Sequence, residues 1–339
     1  MITIIVAARR PAKALDHPTD KKLLSPDSAS PRVTPSEPAI SLDFYTFRFV
    51  FSAIDKIVFP SSQPGNILRG AFGNAFRHRV CDGDCPGART CERRHLCAYA
   101  RIFEPCTSRK GPSGLANLPR PFVFRAAYLD NRTIQPAERF WFDVHLFETK
   151  DPPLEPFAES LGSMAKDGLG PGRGRAHLVA VEQRSMSVPL TVEAESCGRL
   201  AVDFVTPTEL KSGERIVSEP DFGTLFARGR DRISTLRSLY GGGPLPIDFR
   251  EMGKRAGQVR TVRCDLRQVE SRRRSGRTGE VHSIGGFVGR AEYEGEIAEF
   301  LPILEAACWT GVGRQCTWGK GEFRLESSSA TKGDHTLRC

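Results

Sequence analysis

Apolar positions along the chain follow one order of strand and helix periodicities, which occurs twice. In the first copy, Phe47, Phe49 and Phe51 alternate with other residues as in a strand. Apolar residues then recur at helical spacing over 65–80, with Asn66 as the expected N-cap. The remaining elements of this copy are strands within 120–129 and 138–148, a helix over 153–166 and a strand within 175–183. The predicted order is β-α-β-β-α-β.

The second copy repeats this order in the C-terminal half. Its elements are a strand within 198–207, a helix over 222–240, strands within 258–269 and 281–294, a helix over 295–308 and a strand within 321–326. Gly229 is expected to interrupt the first of these helices. The order β-α-β-β-α-β is that of the ferredoxin-like motif, and its repetition indicates an internal duplication. We therefore predict an α+β protein with two tandem ferredoxin-like, RRM-like domains.

The domain boundaries follow from changes in composition. Residues 1–40 and 328–339 are rich in polar residues without periodicity, which predicts a disordered leader and a disordered tail. Between them we predict an N-terminal ferredoxin-like domain over 41–188 and a C-terminal one over 189–327. A Cys-rich segment at 81–106 is predicted to be an insertion in the first domain.

The net positive charge of the chain indicates which kind of partner it binds. The chain of 339 residues carries 49 Lys plus Arg against 40 Asp plus Glu, a net charge of +9, which favours polyanions such as nucleic acid. No apolar run approaches the roughly 18 residues of a spanning helix, and "MITIIVAARR" reaches Arg9 too soon for a signal peptide. We expect a cytoplasmic protein without a membrane partner.

The Cys-rich segment has the spacing of a metal site. It reads "CDGDCPGARTCERRHLC" and places Cys81, Cys85, Cys91 and Cys97 within seventeen residues. Four thiolates satisfy tetrahedral zinc and equally a four-iron cluster, with Cys106 and His95 as spare ligands. We take a structural zinc ion as the leading prediction and the four-iron cluster as the alternative.

A glycine-rich turn precedes the last strand of each half. The first turn contains Gly168, Gly170, Gly172 and Gly174, and the second contains Gly311, Gly313, Gly319 and Gly321. Repeated glycines allow positive φ and build tight loops whose exposed amides bind phosphate, whereas a single Gly-x-Gly is more often a helix C-cap. Because the pattern is doubled, we predict phosphate-backbone contacts at the second loop, assisted by Arg314 and Lys320.

Several segments carry a family resemblance. "GVGRQCTWGKG" resembles the glycine-rich signature of the RAMP superfamily of CRISPR-associated RNA-binding proteins, with Lys320 where an apolar residue is usual. "SRRRSGRTGEVHSIGGFVG" resembles the basic hairpin of the CRISPR repeat-processing endoribonucleases, the sixth Cas family, with Thr278 where Gln is common. "LRGAFGNAFR", "CAYARIFEP" and "RPFVFR" resemble the N-terminal half of that family, so the likeness spans most of residues 42–326.

The resemblance implies cleavage of precursor CRISPR RNA without a metal, by attack of the RNA's own 2′-hydroxyl to leave a 2′,3′-cyclic phosphate. The implied partners are CRISPR repeat RNA and other Cas proteins of an effector complex. Such cleavage needs proton transfer, for which histidine is suited near neutral pH. His78 is expected on the polar face of the first helix, and His282, beside the basic hairpin, is the reserve. Stabilisation of the phosphorane-like charge is assigned to Arg69, Arg77 and Tyr45. RNA contact is assigned to Arg272, Arg273, Arg274 and Arg277 at the hairpin.

Two other functions remain open from the sequence. The same loops would serve a non-catalytic RAMP subunit that binds guide RNA within an effector complex. The cysteines would also suit an iron–sulfur redox or sensor protein, although the chain contains no nucleotide-binding loop after a strand and no flavin fingerprint.

Overall fold

The computed structural model describes residues 4–6, 40–81, 87–106, 118–191, 196–274, 279 and 281–327. These residues form two α+β domains joined near residue 196. In this part of the chain, no helix has both the length and the apolar composition needed to cross a membrane.

The N-terminal domain has the predicted ferredoxin-like topology. Its elements are β1 (Ile4–Val6), β2 (Ser41–Ala53), β3 (Ile57–Phe59), α1 (Pro64–Val80), α2 (Ala98–Ile102), β4 (Phe122–Arg125), β5 (Arg132–Ile134), β6 (Arg139–Leu146), α3 (Leu154–Ser163) and β7 (Ala176–Pro189). The main sheet has the order β1-β7-β2-β6-β4, and β3 pairs with β5 in a small separate sheet. Apart from β1, the order along the main sheet is fourth, first, third, second, as in a ferredoxin-like domain.

The C-terminal domain repeats this topology. Its elements are β8 (Arg199–Thr208), β9 (Leu210–Ser212), β10 (Arg215–Val217), α4 (Phe222–Tyr240), α5 (Phe249–Ala256), β11 (Arg260–Val269), β12 (Arg272–Arg274), β13 (Val281–Ser283), β14 (Gly286–Glu294), α6 (Leu301–Thr310) and β15 (Phe323–Ser327). The main sheet has the order β11-β14-β8-β15, while β9 with β10 and β12 with β13 form two hairpins. The tandem ferredoxin-like prediction is confirmed.

Phenylalanine dominates the N-terminal core. Phe47, Phe49 and Phe51 of β2 are fully buried beneath α1 and α3, as the alternation predicts. The Cys-rich segment takes part in this core, because Tyr99 and Phe103 pack against the aromatic residues of α1. The Cys-rich segment is therefore part of the N-terminal core and is not stabilised by metal ligands alone.

Three local predictions differ from the structure. Helix α1 begins at Pro64, so Asn66 lies inside the helix; the fixed φ of proline suits the first turn. Gly229 does not interrupt α4, and a Cβ there would lie 3.2 Å from the Cβ of Ala307 on α6, so the glycine permits close helix packing. Ile4–Val6 forms a strand parallel to β7 rather than disordered chain, consistent with its β-branched residues.

Both long helices of the C-terminal domain end against the N-terminal domain. Arg125 on β4 donates from Nη2 to the carbonyls of Cys308 (2.7 Å) and Trp309 (2.9 Å) at the end of α6. Lys150 donates from Nζ to the carbonyls of Ser238 and Leu239, near the end of α4. Each cation lies at the negative end of a helix dipole and satisfies carbonyls that the helix cannot.

Candidate functional site between the two domains

The second glycine-rich loop, residues 311–321, is shaped by close backbone packing. All four of its predicted glycines have positive φ, between 72° and 84°. A Cβ on Gly313 would lie 2.3 Å from the carbonyl oxygen of Glu209, and one on Gly321 would lie 2.0 Å from that of Val312. No other residue fits these two positions without displacing backbone.

The amides of this loop are largely used within the protein. Those of Gly311, Gly319 and Gly321 donate to the carbonyls of Ala307 (2.8 Å), Cys316 (3.0 Å) and Pro207 (3.2 Å). The expectation that these three glycines offer free amides to phosphate is therefore wrong. Their glycine identity is explained by conformation and by close approach.

The loop lies against the start of α1 in the other domain. A Cβ on Gly65 would be 2.7 Å from both the Cα of Gly319 and the carbonyl oxygen of Trp318. Arg69, one turn further along α1, has its guanidinium 4.6 Å from the ring of Phe103 and 5.6 Å from the ring of Trp318. We call the contact of the α1 start with the glycine-rich loop the interdomain junction.

The basic hairpin is tied to the same loop. Gln315 donates from Nε2 to the carbonyl of Ser283 (3.3 Å), the last residue of β13. Lys320 donates from Nζ to the carbonyl of Gly285 (2.5 Å) and to Oε1 of Gln315 (2.9 Å). The base of the hairpin therefore meets the interdomain junction.

Of the predicted RNA-binding arginines, Arg272 is exposed at the start of β12. The backbones of Arg273 and Arg274 pair with those of His282 and Val281 on β13. Arg277 lies outside the described residues, as do the side chains of Arg273, Arg274 and His282. The hairpin geometry is therefore present, and RNA contact by these arginines stays a prediction.

Lys320 differs from its predicted role. Its residue is only 2% exposed, and burial lowers the pKa of its amine from 10.5 to about 8. It holds the loop to Gly285 instead of facing solvent. Arg314 is exposed, as expected, and its guanidinium pairs with the carboxylate of Glu209. At this loop, Arg314 is thus the better placed of the two cations for an external phosphate.

The four predicted catalytic side chains are not brought together. His78 and Arg77 are exposed near the C-terminal end of α1. His78 follows Gly65 by 13 residues, which corresponds to about 20 Å along a helix axis. Arg69 lies at the junction and is buried, whereas Tyr45 is half-buried on β2. Only Arg69 of this set adjoins the glycine-rich loop.

The backbone of His282, unlike that of His78, lies close to the glycine-rich loop. It directly precedes Ser283, whose carbonyl accepts the hydrogen bond from Gln315 of the loop. The reserve histidine is therefore nearer than His78 to the interdomain junction in terms of backbone. The sequence feature that indicates this placement is the basic hairpin. If the hairpin lies beside the glycine-rich loop, the residues that flank its tip, His282 among them, lie near that loop as well.

The predicted metal ligands do not form a site among the described residues. Cys81, Cys91, Cys97 and Cys106 are half-buried and form no disulfide with another described cysteine, and Cys85 lies outside the described residues. No group of three or more His, Cys, Asp or Glu side chains in the described ranges converges as metal ligands. The described residues alone therefore do not fit a bound ion.

The sequence did not predict an interdomain cavity of about 340 Å³. Its floor is the helix-free face of the N-terminal sheet, and its wall is the end of α6 with the start of β15. The available signal was alternation in β6: Phe140, Phe142 and Val144 face the core, so Trp141 and His145 must face the opposite side. Burial lowers the pKa of His145 to about 3, so its imidazole is neutral.

Two tandem ferredoxin-like domains, with a glycine-rich loop between the last helix and the last strand, define a RAMP-type protein. Comparison with family models is consistent with this class: residues 202–323 match the CRISPR-associated endoribonuclease Cas6, and residues 42–199 match a family described as an N-terminal domain. The match to the Cas6 family model thus lies in the C-terminal domain. The comparison with curated proteins found no match.

Solved structures share the fold at low identity. The product complex of Thermus thermophilus Cas6 (TTHB231) is 18% identical, with 84% of this chain and 99% of that chain covered and a TM-score of 0.50. A partial Cas6-RT-Cas1–Cas2 complex is 10% identical, with 88% of this chain and 48% of that chain covered and a TM-score of 0.52. The second match shows that this fold also occurs as one part of a longer chain.

Proposed function

We propose that this protein is a cytoplasmic endoribonuclease that binds CRISPR repeat RNA and cleaves precursor crRNA to mature guide RNA. The observation that carries this proposal is the meeting of three elements at one place. The start of α1, the glycine-rich loop and the base of the basic hairpin all adjoin the interdomain junction. The match of residues 202–323 to the Cas6 endoribonuclease family supports the assignment of RNA cleavage to this arrangement.

The reaction that suits such a site needs no metal. The 2′-oxygen of one nucleotide attacks the adjacent phosphorus, the bond from phosphorus to the 5′-oxygen breaks, and a 2′,3′-cyclic phosphate and a free 5′-hydroxyl result. One group must accept the 2′-hydroxyl proton and another must protonate the leaving 5′-oxygen. Developing charge on the phosphate requires nearby cations or positive dipoles.

The groups available for these roles lie on both domains. The positive end of α1 carries no acidic residue in its first turn, and Arg69 follows it. Arg314 is exposed on the loop. For proton transfer we propose His282 ahead of His78, because its backbone lies beside Ser283 and hence beside the loop.

Assembly with other Cas proteins is proposed on the same basis. One matched structure is titled a Cas6-RT-Cas1–Cas2 complex, and there the matching fold is associated with further Cas components. For this chain, other Cas proteins are therefore the proposed protein partners.

A cleavage assay in EDTA tests the proposed activity. Precursor RNA containing a CRISPR repeat from the same genome should be cut once per repeat, and the product should carry a cyclic phosphate. RNA with 2′-deoxyribose at the cut site should bind but stay intact, since the attacking oxygen is absent. Tight binding without any cleavage would instead favour a non-catalytic guide-RNA-binding subunit.

A further inference from the structure

Two residues that line the interdomain cavity, Arg125 and Glu322, each carry a buried polar atom without a partner among the described residues. Nη1 of Arg125 and Oε2 of Glu322 are both buried, and neither has a hydrogen-bond partner in the described part of the chain. A buried donor or acceptor is costly to leave unpaired, so two of them on residues that line one cavity point to a ligand that pairs with both.

The guanidinium of Arg125 and the backbone of Glu322 are both held in place by hydrogen bonds. Nη2 of Arg125 is fixed by the carbonyls of Cys308 and Trp309, which leaves Nη1 as a donor with a set position. The backbone amide of Glu322 donates to Oγ1 of Thr206 (2.9 Å), and its carbonyl accepts from Val205 (2.9 Å). A donor with a set position and a carboxylate on a fixed backbone favour selective recognition, because little freedom is lost on binding.

Planar groups line the same cavity. The rings of Tyr128 and Trp141 stack with centroids 4.4 Å apart, and the guanidinium of Arg48 lies 4.3 Å from the Trp141 ring centre. Trp141 keeps 37% of its surface exposed, which is high for a tryptophan within a sheet. Aromatic rings and guanidinium planes are the surfaces on which unpaired RNA bases stack.

We propose that this cavity is a pocket for a single unpaired guanine base of the bound RNA strand. Guanine presents two adjacent N–H donors, N1–H and N2–H₂, to a carboxylate, and the other three common bases present no such pair. Its O6 and N7 are acceptors suited to an arginine. Glu322 would take the two donors and Arg125 the acceptor edge. The pocket rests on the proposed RNA-binding function and adds base selectivity to it.

Short RNAs test the pocket directly. The full-length protein is titrated with five-nucleotide RNAs of uridine in which the central residue is guanosine, inosine, adenosine or cytidine. The guanosine RNA should bind about 10-fold or more tightly than the others, and inosine should lose this advantage because it lacks the N2 amino group. This comparison uses the unaltered protein, so folding of a variant cannot confuse it.

Two variants test whether Glu322 is responsible for the preference for guanosine. Glu322→Gln keeps the side-chain size but replaces one acceptor by a donor, so the guanosine preference should fall to within about two-fold. Glu182→Gln is the matched control, because Glu182 lines the same cavity and loses the same charge but is exposed. The control should retain the preference. Equal loss in both variants would assign the effect to charge and overturn the pocket.

The remaining outcomes separate the two proposals. Binding of all four RNAs within about two-fold would overturn the pocket and leave RNA binding intact. Absence of binding to any RNA, including the whole repeat, would overturn the proposed function. Guanosine 5′-monophosphate alone binding as tightly as the guanosine RNA would assign the cavity to a free nucleotide and contradict an RNA subsite.

Discussion

Gly65 of the N-terminal domain and Gly319 of the C-terminal domain pack backbone against backbone, with no space for a side chain on either. A Cβ on Gly65 would stand 2.7 Å from the Cα of Gly319, and one on Gly319 would stand 3.0 Å from the Cα of Gly65. The two domains therefore meet through their main chains at the place where the glycine-rich loop touches α1.

Gly65→Ala should lower stability and slow RNA cleavage, because the added methyl group forces the domains apart. Overpacking of this kind costs about 1–3 kcal/mol, and the loss is measured by urea unfolding. Gly70→Ala is the matched control, since Gly70 is on the same helix with nothing within 4 Å of a Cβ. That variant should gain about 0.5–1 kcal/mol from helix propensity. Equal behaviour of the two variants would argue against the junction.

His282→Ala should cut repeat RNA slowly while binding it normally, because proton transfer is lost and the phosphate contacts remain. General acid–base catalysis contributes about 10²–10⁴-fold, which single-turnover rates resolve. His78→Ala should cut at close to the wild-type rate, since His78 lies about 20 Å along α1 from the junction. The reverse result would restore the original assignment of catalysis to His78.

Arg273→Ala combined with Arg277→Ala should flatten the salt dependence of RNA affinity. On single strands each phosphate contact contributes about 0.7 to the slope of log affinity against log salt concentration. A control variant, Arg260→Ala, removes an exposed arginine at the start of β11 that is paired with Glu294 at the end of β14. That variant should leave the slope unchanged. An unaltered slope in the hairpin variant would exclude the hairpin from the RNA interface.

Lys320→Met should remove an alkaline rise in stability. Burial lowers the pKa of the Lys320 amine from 10.5 to about 8, so above pH 8 the folded protein loses this proton while the unfolded chain retains it. The unfolded state then binds more protons, and the free energy of unfolding rises with pH up to about 10.5. The wild type should gain about 1.5 kcal/mol over Lys320→Met between pH 8 and 9.5. Parallel pH profiles for the two proteins would contradict this.

A structural zinc ion at the Cys-rich segment stays a proposal, and it is tested through Cys85, which lies outside the described residues. Elemental analysis of protein purified without chelators should find about one zinc per chain. Cys85→Ser should lose the metal, whereas Cys264→Ser, on β11 in the other domain, should keep it. Metal-free wild-type protein of normal stability would leave these cysteines with packing roles only.

Periodicity predicted the strands that bury one face, as the alternation of Phe47, Phe49 and Phe51 shows. Periodicity gave wrong predictions where packing between segments distant in the sequence determines the local structure. Gly229 looked like a break in α4, yet the close approach of Ala307 explains it within a continuous helix. The short strand Ile4–Val6 depends on an available edge of β7, which no local pattern discloses.

The site was predicted less well, for the same reason. The glycines were identified correctly as a special loop, but their purpose was taken to be free amides, and the structure shows those of Gly311 and Gly321 bonded to carbonyls. Lys320 was assigned by its charge, whereas its burial depends on Gly285, 35 residues earlier. Arg125 and Glu322, which line the same cavity, are 197 positions apart in the sequence, so no local sequence pattern predicts that they lie together.

The caps that Arg125 and Lys150 place on the ends of α6 and α4 couple the folding of the two halves. Without the N-terminal domain, the final carbonyls of both helices would lose their cationic partners. The ring contact between the buried Phe44 and the partly buried Trp309 would also be lost. Neither half then has a complete set of native contacts by itself. The two duplicated domains should accordingly unfold in one cooperative transition, and heat or denaturant should release both together.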